Sequence, residues 1–199
     1  MVSKHSLFFH SLINTRTTQL YHRLRLLIKR NLLSNFVSKS YSDKSALAAV
    51  PLSSLSSKLP SAIFKPRQQI VKKSINNHLE VGFLNVWRPL KIPMNWHPSE
   101  MKNGTRLWLL NLHYMEFLES LDTKNCFDFI IDWIGSNKPY KREYWLDNWN
   151  SYSLSIRVVV WMQQFERRGS ILSQSDKFLL LQSLVAQIRF LKSNLELDI

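Results

Sequence analysis

Apolar residues recur at intervals of three and four through most of residues 106–195, and those intervals divide the stretch into four helices. Leu107, Leu110, Tyr114, Phe117 and Leu121 predict the first, from about Arg106 to Leu121. His113 flanks this stripe, six residues after Leu107 and four before Phe117. Phe127, Ile130, Ile131 and Ile134 predict a second helix over Cys126–Ile134, ended by Gly135 and Pro139. Asn150, Ser151 and Ser153 are each able to cap a third, whose stripe is Leu154, Val158, Trp161 and Phe165 and whose end is Gly169. Ser173 caps a fourth from about Gln174, with Asp176 in its first turn and Phe178, Leu181, Val185, Ile188 and Leu195 along its apolar side.

Upstream the pattern is less regular. A short strand is predicted around Val81–Trp87, its length limited by Gly82 and Pro89. Beyond it, Ser99 is a cap for a turn beginning at Glu100, and Arg88, Asn95, Trp96 and His97 form a polar and aromatic cluster suited to holding a loop against a helical body. Leu20–Leu33 reads as a basic amphipathic helix, with Leu24, Leu27, Ile28 and Leu32 on one side and Arg23, Arg25, Lys29 and Arg30 around it. A packed accessory helix is the favoured reading there, over an element that meets a membrane surface or nucleic acid. Residues 38–66 are Ser-rich and interrupted by Pro51, Pro60 and Pro66, each of which holds its predecessor extended. The chain therefore divides into a basic helical leader at 1–37, a Ser/Pro-containing linker at 38–80 and an all-α helical array at 81–199.

Composition supports the helical reading. Four glycines in 199 residues are few for a fold made of tight turns, whereas 45% hydrophobic residues suffice for a core. The net charge of +13 is unevenly spread: residues 1–80 hold 13 Lys and Arg against Asp43 and Glu80, a balance of +11, while the rest holds 14 basic and 12 acidic residues, a balance of +2. A basic front thus precedes a nearly neutral body, and its field would attract DNA, RNA, anionic lipid or acidic polysaccharide alike. The first residues lack a sustained apolar run and a small-residue cleavage site, so no signal peptide is read, and no window is long and apolar enough for a transmembrane segment. The compartment follows from export: periplasmic if the parent protein is exported, cytoplasmic if the missing signal is real.

Few residues have the spacing of known chemistry. Cys126 is the only cysteine, and the histidines at 5, 10, 22, 78, 97 and 113 lack ligand spacing, so neither a metal nor another cofactor is expected. Glu116 and Glu119 read as a solvated helix face, and Glu143 and Asp147 flank an aromatic loop without a separation that sequence can supply. No phosphate-binding or dinucleotide-binding glycine signature occurs. The loop itself, with Trp145, Asp147, Asn148, Trp149, Asn150 and Tyr152, mixes ring faces with hydrogen-bonding groups. That mixture suits a sugar, and equally a helix start in which the tryptophans are buried.

The ordered blocks RLWLLNLHYMEFLESL, FIIDWIGSN and WNSYSLSIRVVVWMQQF resemble the amino-terminal helical region of the heparinase II/III-like polysaccharide lyase family, over roughly residues 83–194, and LYHRLRLLIKR is similar to a weaker leader in the same group. The resemblance implies a partial (α/α) toroid. In members it precedes an antiparallel β-sandwich, and those that are enzymes cleave acidic polysaccharides by β-elimination. It also implies that the family's catalytic Asn or His, Tyr and further His lie beyond the stretch matching IRFLKSNLELDI, so this chain is expected to stop short of them and to be inactive alone.

Proton abstraction beside a uronic carboxylate needs a placed base, a neutraliser for the carboxylate and an acid for the leaving oxygen. His113 and Tyr114, adjacent in a helix, point about 100° apart and do not make a base and acid on one face. Asn111, His113, Tyr114, Trp149, Asn150, Tyr152 and Arg157 are accordingly candidates for lining or binding, and no residue is assigned a catalytic role. Arg157 is placed either to face a polyanion or to pair with a local acid such as Glu143. The expected partners are an acidic polysaccharide and a complementary carboxy-terminal fragment. The alternative is a nonenzymatic helical binding module for glycan, protein or nucleic acid, with nucleic acid disfavoured because the body lacks a recognition-helix signature.

Overall fold

The structure is a computed structural model, and it describes residues 17–31, 70–73, 78–98, 106–139 and 146–194. The Ser/Pro stretch at 38–66, the Ser99 cap with Glu100, Leu32, Glu143, Trp145 and Leu195 lie outside the described residues. In chain order the elements are α1 (Thr17–Asn31), β1 (Val71–Lys73), β2 (Leu79–Phe83), β3 (Val86–Pro89), α2 (Arg106–Tyr114), α3 (Thr123–Ser136), α4 (Ser151–Arg168) and α5 (Gln174–Asn194). Short 3-10 turns at Glu116–Ser120 and Gly169–Ile171 follow α2 and α4.

The protein is mainly helical, but the all-α expectation needs correction: β1, β2 and β3 form an antiparallel sheet in that order. β1 pairs with β2 at Val71↔Val81, so the sheet begins inside the segment assigned from sequence to the linker. The single strand expected over Val81–Trp87 is a hairpin instead, with Gly82 opposite Trp87 and Phe83 opposite Val86. Its two-residue turn, Leu84–Asn85, has φ of 54° and 63°. This is the left-handed pair whose twist matches that of the flanking strands. Asn tolerates that conformation; a Leu there is unusual and hides the turn. On the outer face the Trp87 ring covers Gly82, where a Cβ would lie 2.5 Å from it, and Lys72 Nζ sits 4.0 Å from the ring centroid. Val81 and Phe83 face inward, and Trp108 joins sheet to helices by donating its indole N–H to the Val86 carbonyl (2.9 Å) while meeting Phe83 edge-on.

The first helix of the array is shorter than predicted, and its stripe holds only in part: Tyr114, Phe117 and Leu121 are buried as expected, whereas Leu110 is half-buried and Leu107 is exposed. α2 ends at Tyr114 because Met115 takes φ 58°, and a 3-10 turn continues the chain. Met115 is buried, and its sulfur accepts from the Trp161 indole at 3.2 Å. The buried residues of α2 are Trp108, Leu109, Leu112, His113 and Tyr114, while Leu107 is 51% exposed. Apolar residues surround this helix, so a second stripe one residue out of phase fits the same spacing rule and wins by burying a Trp.

α3 begins at Thr123, three residues before the expected start, because the Asp122 carboxylate accepts from the Asn125 amide (2.9 Å). It runs through Gly135 and stops at Asn137, which binds back to the Trp133 carbonyl. α4 is capped by Asn150, whose side chain accepts from the Tyr152 amide (3.0 Å), and it buries Leu154, Val158 and Trp161 as expected, with Phe165 half-buried. At its far end Arg168 donates to the Leu121 and Glu119 carbonyls, fastening the 3-10 turn. Ser173 caps α5, accepting from the Asp176 amide at 3.1 Å. Its buried side is Leu180, Leu184, Gln187, Phe190 and Asn194; of the expected stripe, Leu181 packs half-buried against the core and Val185 is half-buried, while Phe178 and Ile188 are exposed.

α4 packs against both α2 and α5, and α3 against α5. Trp108, Trp133, Trp161, Phe117, Phe129 and Phe190 fill the space between them. Each such ring contributes roughly 1.5–3 kcal/mol by leaving water. α1 departs from the packed accessory helix expected for it: Leu26 is buried, but Tyr21, Leu24, Leu27 and Ile28 are exposed.

Candidate functional site

A polar cluster is embedded in this aromatic core. His113, Asn137, Asn148, Ser153, Arg157, Gln163, Gln164, Gln187 and Asn194 are all buried. Burying that many polar groups is costly unless each finds a partner, and several do not.

Arg157 is the most demanding of them. Its guanidinium is fully buried 3.9 Å from the centroid of the Trp133 ring. Nε donates to Gln187 Oε1 (2.8 Å), Nη1 donates to the His113 carbonyl (2.9 Å), and Nη2 has no partner. No described carboxylate pairs with it, and burial holds its pKa well below the usual arginine value. Cation–π contact and two charge-assisted hydrogen bonds offset part of the desolvation.

His113 adjoins it. The Trp133 indole donates to His113 Nδ1 (3.2 Å), which puts the proton of the neutral ring on Nε2, and Nε2 has no hydrogen-bond partner. Burial, then the Arg157 charge and then His97, hold its pKa well below 6.5 against an opposing contribution from the Trp96 backbone. Trp96 stacks on the ring at 6.0 Å, and His97 lies at 5.5 Å.

The loop carrying Trp96 and His97 is pinned to α3. Asp132 Oδ2 accepts from the Trp96 indole (2.8 Å) and the Met94 amide (3.1 Å). Asn137 is the second anchor: its Oδ1 accepts from His97 Nε2 (3.0 Å) and Asn148 Nδ2 (3.2 Å), and its carbonyl accepts from the Trp149 indole (3.0 Å). One residue at the end of α3 thus joins the loop before α2 to the loop before α4.

The seven sequence candidates divide accordingly. His113 and Arg157 meet directly, and Trp133 touches both. Trp149 packs between Trp133 and Phe190, a buried structural ring rather than an open platform. Tyr114 is buried and meets the ring of Tyr152, which is 64% exposed, at 5.6 Å edge-on. Asn150 is a helix cap, and half-buried Asn111 donates to the Leu107 carbonyl within its own helix. A groove of about 600 Å³ lined by Leu90, Ile92, Phe127, Asp128 and Asp132 contains none of the seven.

Sequence reasoning missed Asp132, Asn137 and Gln187. The first two lie within FIIDWIGSN, where neither has a spacing that marks it. Ser153, Arg157 and Gln164 are spaced at four and seven along α4, a stripe that marks them as sharing one side. Among the described residues no group of three or more His, Cys, Asp or Glu is placed to hold a metal ion.

The unpartnered atoms give the cluster its chemical character. Nη2 of Arg157, Nε2 of His113, Nε2 of Gln163 and of Gln164, and the Ser153 hydroxyl are all able to donate. The Gln163 carbonyl oxygen is also unpartnered and accepts, so donors predominate among these atoms without being the whole of them. Comparison of the chain with protein-family models, curated proteins and solved structures finds no match.

Proposed function

We propose that this chain is the helical part, a partial (α/α) toroid, of a heparinase II/III-like protein of surface-polysaccharide metabolism. The whole protein acts on an acidic glycan by β-elimination, and this chain alone binds such a glycan without turning it over. The observation that carries the reading is the buried Arg157 cation with no described counter-anion, bonded to the carbonyl of His113, the residue before Tyr114, whose ring meets exposed Tyr152. A charge in a low-dielectric interior projects its field further than one in water, and an exposed tyrosine ring offers a face to the C–H surface of a sugar. The three sequence blocks that carry the family resemblance lie on α2, α3 and α4, the helices that meet around Arg157. The exposed Phe178 and Ile188 side of α5 is the surface proposed for a complementary carboxy-terminal fragment.

Turnover needs a base and an acid that reach the same sugar. His113 has the pKa direction of a neutral ring but is enclosed, and Tyr114 beside it faces Tyr152. Incubation with a panel of uronic-acid polymers should therefore give no protein-dependent rise in the ultraviolet absorbance of an unsaturated uronate. Product formation abolished by His113→Ala or Tyr114→Phe, with folding retained, would overturn the inactive assignment and make those two residues catalytic.

A further inference from the structure

α1 presents a surface that the glycan site does not use. With about 100° between successive residues, Leu20, Tyr21, Leu24, Leu27 and Ile28 share one side of this helix. Tyr21 is 65% exposed, Leu24 57%, Leu27 52% and Ile28 42%. The opposite side carries Leu26, which is buried, so the helix is seated by that side and leaves its apolar stripe in water. Exposed Arg23 and Arg25 stand on the two borders of the stripe. The helix also contains Lys29 and Arg30 and has no acidic residue.

We infer that α1 docks along an anionic phospholipid surface, with Tyr21, Leu24, Leu27 and Ile28 entering the interface between headgroups and acyl chains and Arg23 and Arg25 contacting lipid phosphates. The occupant must offer apolar depth in the middle and negative charge at both edges, and an anionic bilayer does both. Nucleic acid satisfies only the second requirement. A helix that reads a groove presents its basic residues at the centre of the contact, whereas here four apolar side chains occupy that place. The helix does not span the bilayer: α1 has 15 residues, and no described helix is long and apolar enough to cross. It lies in the surface plane.

The test uses the full chain with vesicles of phosphatidylcholine alone or mixed with phosphatidylglycerol. Tyr21→Cys introduces an accessible thiol for an environment-sensitive fluorophore, because Cys126 is buried and burial pushes its thiol up to about 12. The label should shift to shorter wavelength with the mixed vesicles and stay unchanged with phosphatidylcholine alone. Sedimentation with vesicles should weaken at least about tenfold in Leu24→Asp/Leu27→Asp, which removes apolar contact from an already exposed face. Arg23→Gln/Arg25→Gln should weaken it by about 25-fold at low salt, at roughly fivefold for each basic residue near the surface. Far-ultraviolet circular dichroism of both variants should match the parent. The basic residues outside α1 can attract vesicles by charge alone, so the apolar double variant decides: undiminished binding, or a label that stays in water, overturns the proposal. Binding of duplex RNA that is tighter than vesicle binding and indifferent to Leu24→Asp/Leu27→Asp also overturns it and assigns the helix to nucleic acid.

Discussion

Replacing Arg157 separates two accounts of the buried cluster. Arg157→Met keeps a long side chain over Trp133 but removes the donors to Gln187 Oε1 and the His113 carbonyl, together with the contact to the Trp133 π face. Two charge-assisted hydrogen bonds are worth about 3–6 kcal/mol and a desolvated cation–π contact about 2 kcal/mol. Against that loss, returning the charge to water relieves a penalty of several kcal/mol, on the order of 3–5. The balance is a net destabilisation of about 2 kcal/mol, modest for a fully buried site. Arg157→Lys gains no such relief, because the ammonium is still buried, and its single tetrahedral head cannot serve both acceptors and the ring as the planar fork does. It should cost about 3–5 kcal/mol, more than Met. Urea unfolding followed by circular dichroism and tryptophan fluorescence, with a shared slope, gives both values. A Lys variant within about 0.5 kcal/mol of the parent would refute the fork geometry. A Met variant losing more than about 5 kcal/mol would show that a buried carboxylate had been stranded, and with it that Arg157 has a counter-anion.

Other consequences follow from the neighbours. Asn137→Ala strands the buried Asn148 donor and releases the exposed His97 ring to water, and should cost about 2 kcal/mol, read as a fall in urea midpoint with faster amide exchange in residues 91–98. His113 has a folded-state pKa below its ordinary value of 6.5, so the unfolded chain takes up the proton first. Its contribution is therefore neutral above that value, and stability falls as the pH drops below it, by up to about 1.4 kcal/mol per pH unit until the folded pKa is reached. His113→Gln should flatten that limb of the stability profile, and an unchanged acid limb would remove His113 as its source. Cys126, buried with its thiol raised to about 12, should react with a maleimide only on unfolding, and fast stoichiometric labelling of native protein would contradict its burial.

Helices were legible where sequence carried both a cap and a one-sided stripe. α4 shows this best: Asn150 caps it, and Leu154, Val158 and Trp161 are buried as their spacing predicts. α2 and α5 were found, but their buried faces were read only in part, since both are apolar on more than one side and spacing alone cannot choose the phase. Only the neighbours decide, Trp108 by reaching Val86 and Gln187 by reaching Arg157. The hairpin was half seen because its turn places Leu84 in a left-handed conformation that no propensity suggests. For the site, residue types were readable and distances were not. His113 and Arg157 are 44 positions apart and meet through a backbone carbonyl, a contact without any side-chain signature in sequence. The end of α3 was assigned to Gly135 and Pro139, whereas Asn137 caps it, and the second role of Asn137 depends on two loops from either side arriving at its Oδ1.

The central claim is that the chain receives an acidic glycan at the Tyr114–Tyr152 edge. Its most direct measurement is calorimetric titration of the full chain, at one fixed salt concentration, with a uronic-acid oligosaccharide, a neutral oligosaccharide of equal length and duplex DNA. The uronic-acid oligosaccharide should bind at least about tenfold more tightly than either competitor and lose about tenfold on Tyr152→Ala, the loss of one stacking ring. Tighter binding of DNA, or acidic-glycan binding indifferent to Tyr152→Ala, would contradict the account.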